Sequence, residues 1–332
     1  MTDIPLAART GRRARPSKFL SFAVIGALLA VLLVFFVLPV VWLLLAPSKT
    51  AGQITHDNPL SFGSFGQIGT AWQHLFDFQD GVMAHWLLNS AIYSGGSLIL
   101  TLAVSITAGY ALALTKFRGR KTLLTVTLVT MIMPQATLVL PVFLELNRFH
   151  LIGTVWSVIL PFSFYPFGVY LVYIYFGSSL PRDLLSAARM DGCNEWQLFT
   201  RIALPLAKPV VGLVAFFSFV GNWNNFFLPY LVLPDSDQFP VQVGLNQLLT
   251  STPSFNPVAG AGLNITIPEL SLAIGVAILP VLVLFLFSHP GLRDARGSDE
   301  GVARGAAAGS RALGGVRRTR RATARTRGGR AG

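Results

Sequence analysis

The chain has 332 residues, 52% hydrophobic and only 12% charged, with a mean hydropathy of +0.58. Soluble domains carry about a quarter of their residues as charges, so an ordinary soluble domain is excluded and a polytopic membrane protein is expected. The net charge of +12 does not signal a nucleic-acid partner: eleven arginines from Arg293 to Arg330, against Asp294, Asp299 and Glu300, put +8 of it in one tail.

Residues 1–18 are basic, with Arg9, Arg12, Arg13, Arg15 and Lys18. The apolar run that follows, 19–46, is too long for the core of a signal peptide and reads as an uncleaved first span. Five more runs, near 87–114, 122–146, 152–178, 206–234 and 269–288, approach the length of about 20 residues that crosses a bilayer. The fold class expected is therefore an all-α membrane protein of six transmembrane helices. Lys116, Arg118, Arg120 and Lys121 lie between spans two and three; Arg182, Arg189, Arg201 and Lys208 lie between spans four and five. Basic loops stay on the cytosolic side, so both termini are expected there too. The loops near 47–86 and 235–268 then face outward, as turns or short interfacial helices. Small residues along span two (Ser94, Gly95, Gly96, Ser97, Ala103, Ser105, Ala108, Gly109) suit close helix packing. From His289 to the end the chain is a Gly/Ala/Arg-rich tail, expected to be disordered.

The most informative stretch is the polar loop at about 179–206. It reads as two short helices joined by a tight turn. Asp183 and Arg189 suit the dipole at the two ends of the first helix. Pro181 suits its first position, and Gly192 a left-handed residue just past its end. Asn194 and Gln197 form a capping-box pattern that restarts a helix. Trp196, Phe199 and Ile202 then fall on one face, and Pro205 opens the next apolar run. Trp196, Leu198 and Phe199 are anchors either for a partner or for the chain's own helices. Cys193 is the only cysteine, so an intrachain disulfide and a cysteine metal cluster are both excluded.

The order Ala187-Ala188, Asp191-Gly192 and Ile202-Ala203-Leu204-Pro205 resembles the "EAA" loop of permease subunits of binding-protein-dependent ABC importers, the carbohydrate type above all. The likeness runs over roughly 20–288, through Asn89-Ser90, Met133-Pro134, Leu140-Pro141, Pro166-Phe-Gly-Val169 and Gly221-Asn-Trp-Asn-Asn-Phe-Phe227. Ser186 stands where the family usually has Glu. The resemblance implies a six-span permease domain over 19–288 and a coupling loop that seats in an ATPase subunit. The positions concerned are Asp183, Ala187, Ala188, Asp191, Gly192, Trp196, Phe199, Ile202 and Pro205. It also implies the partners: a second permease subunit, an ABC ATPase dimer and an extracytoplasmic solute-binding protein, all set in membrane lipid. The aromatic first outer loop (Phe62, Phe65, Trp72, Phe76, Phe78) suits the membrane interface or, as a second reading, that binding protein.

Candidate catalytic groups are wanting. The sequence contains no Gly-x-x-x-x-Gly-Lys-Ser/Thr, so no ATP site of that kind, and no His-Glu-x-x-His. No cofactor or metal is expected. Glu145 and Glu269 fall at span ends and are expected to be solvated. Asn222, Trp223, Asn224 and Asn225 fall inside span five, where amides are costly in lipid. They either bond neighbouring helices, at about 0.6–2 kcal/mol each, or line a solute pathway, for which amides and an indole face suit sugars. Met131, Met133, Pro134 and Gln135 in span three carry the same two readings, and Pro134 and Pro141 should kink that span. The function expected is a transmembrane subunit importing a sugar or oligosaccharide. The alternatives are another polar solute, such as a glycerol phosphate ester, a scaffold that transports nothing, or an ion-driven carrier.

Overall fold

A computed structural model describes residues 18–256 and 265–287. The basic N-terminus and the tail from 289, expected to be disordered, lie outside the described residues. Every regular element among those described is helical. In chain order they are α1 (Lys18–Leu45), α2 (Ala51–His56), α3 (Phe65–Asp77), α4 (Val82–Leu114), α5 (Arg120–Ile132), α6 (Gln135–Arg148) and α7 (Trp156–Ser163). Then follow α8 (Pro166–Ser179), α9 (Arg182–Met190), α10 (Glu195–Leu206), α11 (Lys208–Trp223), α12 (Phe227–Val232), α13 (Val241–Ser251) and α14 (Ile267–Phe287). Among the described residues four helices are long and apolar enough to cross a membrane: Phe22–Ser48, Val82–Leu114, Trp156–Ser179 and Ile267–Phe287. Two bent pairs bring the total to six if each is one span: α5 with α6, at 112°, and α10 with α11, at 74°. This is compatible with six spans.

Two expected spans are more broken than their sequence suggested. In span three the helix stops at Ile132 and restarts at Gln135, because Pro134 has no N–H to continue the ladder and holds its neighbour extended. Pro141 sits inside α6 without ending it. In span five the helix ends at Trp223, two residues of the amide run remain, and α12 begins at Phe227. Broken backbone at membrane depth must face protein or water, so both breaks mark an interior surface.

The axis of the fold is α4, which passes through three apolar cores. At one end Ile106, Tyr110 and Ala113 pack with Val172 and Phe176 of α8 and with Leu185, Leu198 and Phe199 of the polar loop. At the other end Val82, Met83 and Trp86 pack with Leu75 of α3, Trp223, Leu248 and Ala273. Between them Tyr93 joins Leu146, Val158, Ile159 and Val232. Lipid gives helices no hydrophobic drive to associate, so close packing and interhelical hydrogen bonds must do it. The small residues of α4 supply both. An added Cβ on Gly109 would lie 2.5 Å from Val172 Cγ1, and one on Gly96 would lie 2.6 Å from Ile159 Cδ1. The Oγ1 of Thr101 donates to the Phe162 carbonyl at 3.0 Å.

The far end is laced by side chains on one face of α4. Trp86 Nε1 donates to the Ser236 carbonyl (2.8 Å), Asn89 Nδ2 to the carbonyls of Asp237 (2.6 Å) and Phe239 (3.2 Å), and Tyr93 hydroxyl to that of Gln238 (2.8 Å). Ser90 Oγ accepts the Val241 N–H at 2.7 Å. Glu269 was expected to be solvated; it is instead buried, 3% exposed. One carboxylate oxygen meets His74 Nδ1 of α3 at 3.1 Å, and the other accepts the Thr266 N–H at 2.8 Å. Thr266 and Glu269 thus cap α14 while tying it to α3. Glu145, by contrast, is exposed as expected. The helix α1 stands clear of this bundle, with apolar side chains uncovered along its length. A helix that is apolar all round requires lipid or protein about it.

Two predictions follow from the packing. Gly109→Leu should lower the unfolding midpoint in detergent, since overpacking costs about 1–3 kcal/mol; Gly95→Leu, at a position with nothing within 4 Å, should not. His74→Ala should also lower it, by leaving the buried carboxylate one partner short, at about 1–3 kcal/mol. An unchanged midpoint for either His74→Ala or Gly109→Leu would refute the corresponding contact.

Candidate functional site

The polar loop folds as a self-capped elbow. Its first helix, α9, carries Asp183 in the first turn and Arg189 in the last. Pro181 is the N-cap, one residue earlier than the sequence suggested. At the other end the Cys193 N–H bonds to the Ala188 carbonyl (3.0 Å) and the Gly192 N–H to that of Arg189 (3.1 Å). This is the paired 6→1 and 5→2 closure of a Schellman turn. It needs a left-handed residue, and Gly192 has φ of +85°. Restart is immediate. Asn194 Oδ1 accepts the Gln197 N–H (2.8 Å), and Gln197 Oε1 accepts the Asn194 N–H (3.0 Å), completing a capping box. Arg189 Nε spans the bend to Glu195 Oε1 at 2.9 Å. The hydrogen bond to Glu195 is the main cause of an upward shift in the Arg189 pKa, so this side chain keeps its charge at any physiological pH. Both partners are exposed, and such pairs contribute only about 0.2–1 kcal/mol.

The aromatic rings of the elbow, Trp196 and Phe199, lie 5.7 Å apart but differ in burial. Leu198 and Phe199 are buried, with Phe199 against the Tyr110 ring at 5.0 Å. Leu185 and Ala188 join them in the core. Ala187 and Asp191 are exposed, and Ile202 is half-buried. Trp196 is 68% exposed and Met190 83% exposed, on either side of Gly192. Thus the elbow is fastened to α4 and α8 from below and presents an apolar tip above. A π-helical stretch, Leu198–Ala203, precedes Pro205, whose ring would otherwise crowd the Arg201 carbonyl. Pro205 lies within α10; the next apolar helix opens at Lys208, after the bend at buried Ala207.

The second feature is a cavity of about 1350 Å³ between the two broken spans and α7–α8. Pockets for small ligands run to about 300–1,000 Å³, so this one has room for an oligomer. Met131, Met133 and Gln135 line it beside the first break, and Asn222, Asn224 and Asn225 beside the second. Asn222 Nδ2 reaches Ser218 Oγ at 3.4 Å, Asn224 Nδ2 donates to the Val220 carbonyl at 2.9 Å, and the Oδ1 of Asn225 is buried without a hydrogen-bond partner. These amides dress the frayed end of α11, and Asn224 Oδ1 also accepts from Gln242 Nε2 of α13 at 3.3 Å, so one of them bonds a neighbouring helix. Trp223 departs from the expectation grouped with them. Its indole is buried, its Nε1 donates to the Ala277 carbonyl at 2.9 Å, and it packs in the far-end core, away from the cavity. Sequence alone could not distinguish its face, because the helix ends at this residue. The sequence reading also missed Glu145 as a cavity residue and the lacing of Trp86, Asn89, Ser90 and Tyr93. Their helical spacing was the available signal.

Residues 102–293 match the family "Binding-protein-dependent transport system inner membrane component". The chain is 35% identical over 215 residues to the arabinooligosaccharides transport system permease protein AraQ of Bacillus subtilis, covering 64% of this chain and 72% of that one. It is 31% identical over 279 residues to the diacetylchitobiose uptake system permease protein NgcG of Streptomyces coelicolor, covering 82% of this chain and 87% of that one. In fold it is similar to a chain from the crystal structure of a bacterial ABC transporter involved in the import of the acidic polysaccharide alginate. The TM-score there is 0.72 at 20% identity, over 86% of this chain and 99% of that one. With more than half its length under the family match, and a helical fold to suit, this chain is a member of the binding-protein-dependent transport system inner membrane components, a transport subunit and not an enzyme.

Proposed function

We propose that this chain is a sugar- or oligosaccharide-importing permease driven by a separate ATPase through the elbow around Gly192. The single observation that carries the coupling role is the fixed elbow with its apolar tip. Trp196 and Met190 are uncovered while the turn between them is closed by the α9 C-cap and the Asn194–Gln197 capping box. Apolar side chains held this way suit a cleft in a partner protein. Asp183, Ala187, Ala188, Asp191, Ile202 and Pro205 shape the lever. Phe199 fastens it to α4, so a push on the tip reaches the spans without being lost in a flexible loop.

The partners are an ATPase and a solute-binding protein, as the family's dependence on a binding protein implies, and a second permease that closes the open side of the cavity. The domain division is 1–18, then a permease domain over 19–288, then the tail from 289. The basic loops favour both termini in the cytosol, with the elbow there beside the ATPase. The solute class is favoured by the relatives named for arabinooligosaccharides and diacetylchitobiose, and by amide and aromatic side chains along the cavity.

The test is purification with partners, followed by ATP hydrolysis measured with solute-loaded binding protein. Stimulation is expected, and uptake driven by an ion gradient without ATP would sink the reading. Gly192→Asp should leave membrane insertion intact and abolish uptake, because a side chain at that φ strains the turn and a charge is set beside the tip. Normal uptake at matched expression would remove the lever assignment. Trp196→Ala should weaken ATPase co-purification while lowering the unfolding midpoint only slightly, through its ring contact with Phe199. Phe199→Ala should shift that midpoint, by about 3 kcal/mol of lost core packing. Equal thermal effects of the two would contradict the division between tip and root.

A further inference from the structure

The aromatic loop between spans one and two carried two readings, a membrane interface or a binding protein. Its helix α3 divides lengthwise into three stripes, as the 3.6-residue turn dictates. Ala71 and Leu75 have no exposed surface, and Leu75 packs in the far-end core. On one flank of that buried stripe Phe65, Gly69, Trp72 and Phe76 form a second, free of charged residues. Beyond it Gly66, Thr70, Gln73 and Asp77 form a third, which is polar. Phe65 is 80% exposed and Trp72 48% exposed. The rings pair along their flank: Phe62 lies 4.8 Å from Phe65, and Trp72 stacks on Phe76 at 4.5 Å. The first span fixes where this flank begins. Ser48, at the end of that span, accepts the Ser64 N–H on its carbonyl at 2.7 Å and the Gly63 N–H on its Oγ at 2.9 Å. A Cβ on Gly63 would collide with the Ser48 carbonyl, so glycine is needed for this approach. The span shows apolar side chains as far along as Val41 and Leu44. Where lipid surrounds them, Phe62 and Phe65 stand just past the hydrocarbon edge, the depth at which aromatic side chains collect. A protein arriving from the water would meet Gln73 and Asp77 of the polar stripe first.

We infer that α3 is an interfacial anchor: the flank carrying Phe62, Phe65, Trp72 and Phe76 lies in the headgroup layer of the bilayer beside the first span. Helices that lie in this layer bury an apolar face and keep a polar one in water. The contact is apolar and takes no account of headgroup charge, because no Lys or Arg stands on α3 to favour an anionic lipid. The anchor is tied to the bundle through Leu75 in the far-end core and through His74 on Glu269 of α14. It is independent of what the chain transports.

The test uses the full chain with its co-purifying partners in lipid nanodiscs, with Cys193→Ser removing the native thiol. Phe65→Cys or Trp72→Cys on the aromatic flank, and Gly66→Cys or Asp77→Cys on the polar stripe, each carry one nitroxide. Its collisions are read with oxygen, which concentrates in lipid, and with a water-soluble nickel chelate. The oxygen-to-nickel ratio should be several-fold higher on the aromatic flank than on the polar stripe, and the same in phosphatidylcholine as in phosphatidylglycerol. Equal ratios at all four positions would place the flank in water and overturn the anchor. Few collisions with either reagent at Phe65→Cys and Trp72→Cys would reveal a protein cover, a second permease or a binding protein, and overturn it equally. A higher ratio in phosphatidylglycerol alone would overturn the indifference to headgroup charge. A second measurement leaves the native rings in place. Fluorescence is quenched with lipids brominated near the headgroup or near the chain end, and the share due to Trp72 is the difference from Trp72→Phe. Shallow bromines should quench that share more than deep ones; no quenching by either would overturn the anchor.

Discussion

Everything in this fold hangs on the close approach of neighbouring helices to α4. In water a helix bundle is held mainly by burying apolar surface, but lipid removes that advantage. What remains is surface fit and interhelical hydrogen bonding, and both require side chains small enough to bring backbones together. Gly96 and Gly109 let Ile159 and Val172 settle against the α4 backbone, and Thr101 reaches the Phe162 carbonyl. Because α4 runs through all three cores, this one contact surface aligns the elbow at one end with the laced loop at the other.

The two breaks are the counterpart of that rigid axis. Pro134 stops one helix and the amide run frays another, and both openings fall on the same cavity. The exposed peptide groups there have a use only if protein or water meets them. Polar lining is therefore concentrated where the backbone is interrupted, and the amides serve the helix end and the cavity at once.

Much of this was legible in the residues. The elbow was the most readable part, because each of its devices is local: Gly192 for a left-handed turn, Asn194 with Gln197 for a box, Asp183 and Arg189 for the dipole. The spans were legible from length and charge, and the structure is compatible with their number. The misreadings arose where the answer depended on distant neighbours. Glu269 looked solvated until His74, far away in sequence, met it. Trp223 looked like one of the amide group until its ring turned toward Ala277. Whether Phe199 faces inward depends on Tyr110, which no local pattern reveals. The depth of the break at Pro134 was likewise hidden, since a proline forecasts an interruption but not its angle.

The elbow's self-capping has one more consequence. The hydrogen bonds that close its turn all lie within residues 187–198. On the coupling reading, substitutions in the cavity wall can therefore accumulate without altering the hydrogen bonds that shape the elbow. Since the elbow is ordered in advance, docking forfeits little chain entropy. On the coupling reading, a single motor design can then be shared among transporters whose cargoes have nothing else in common.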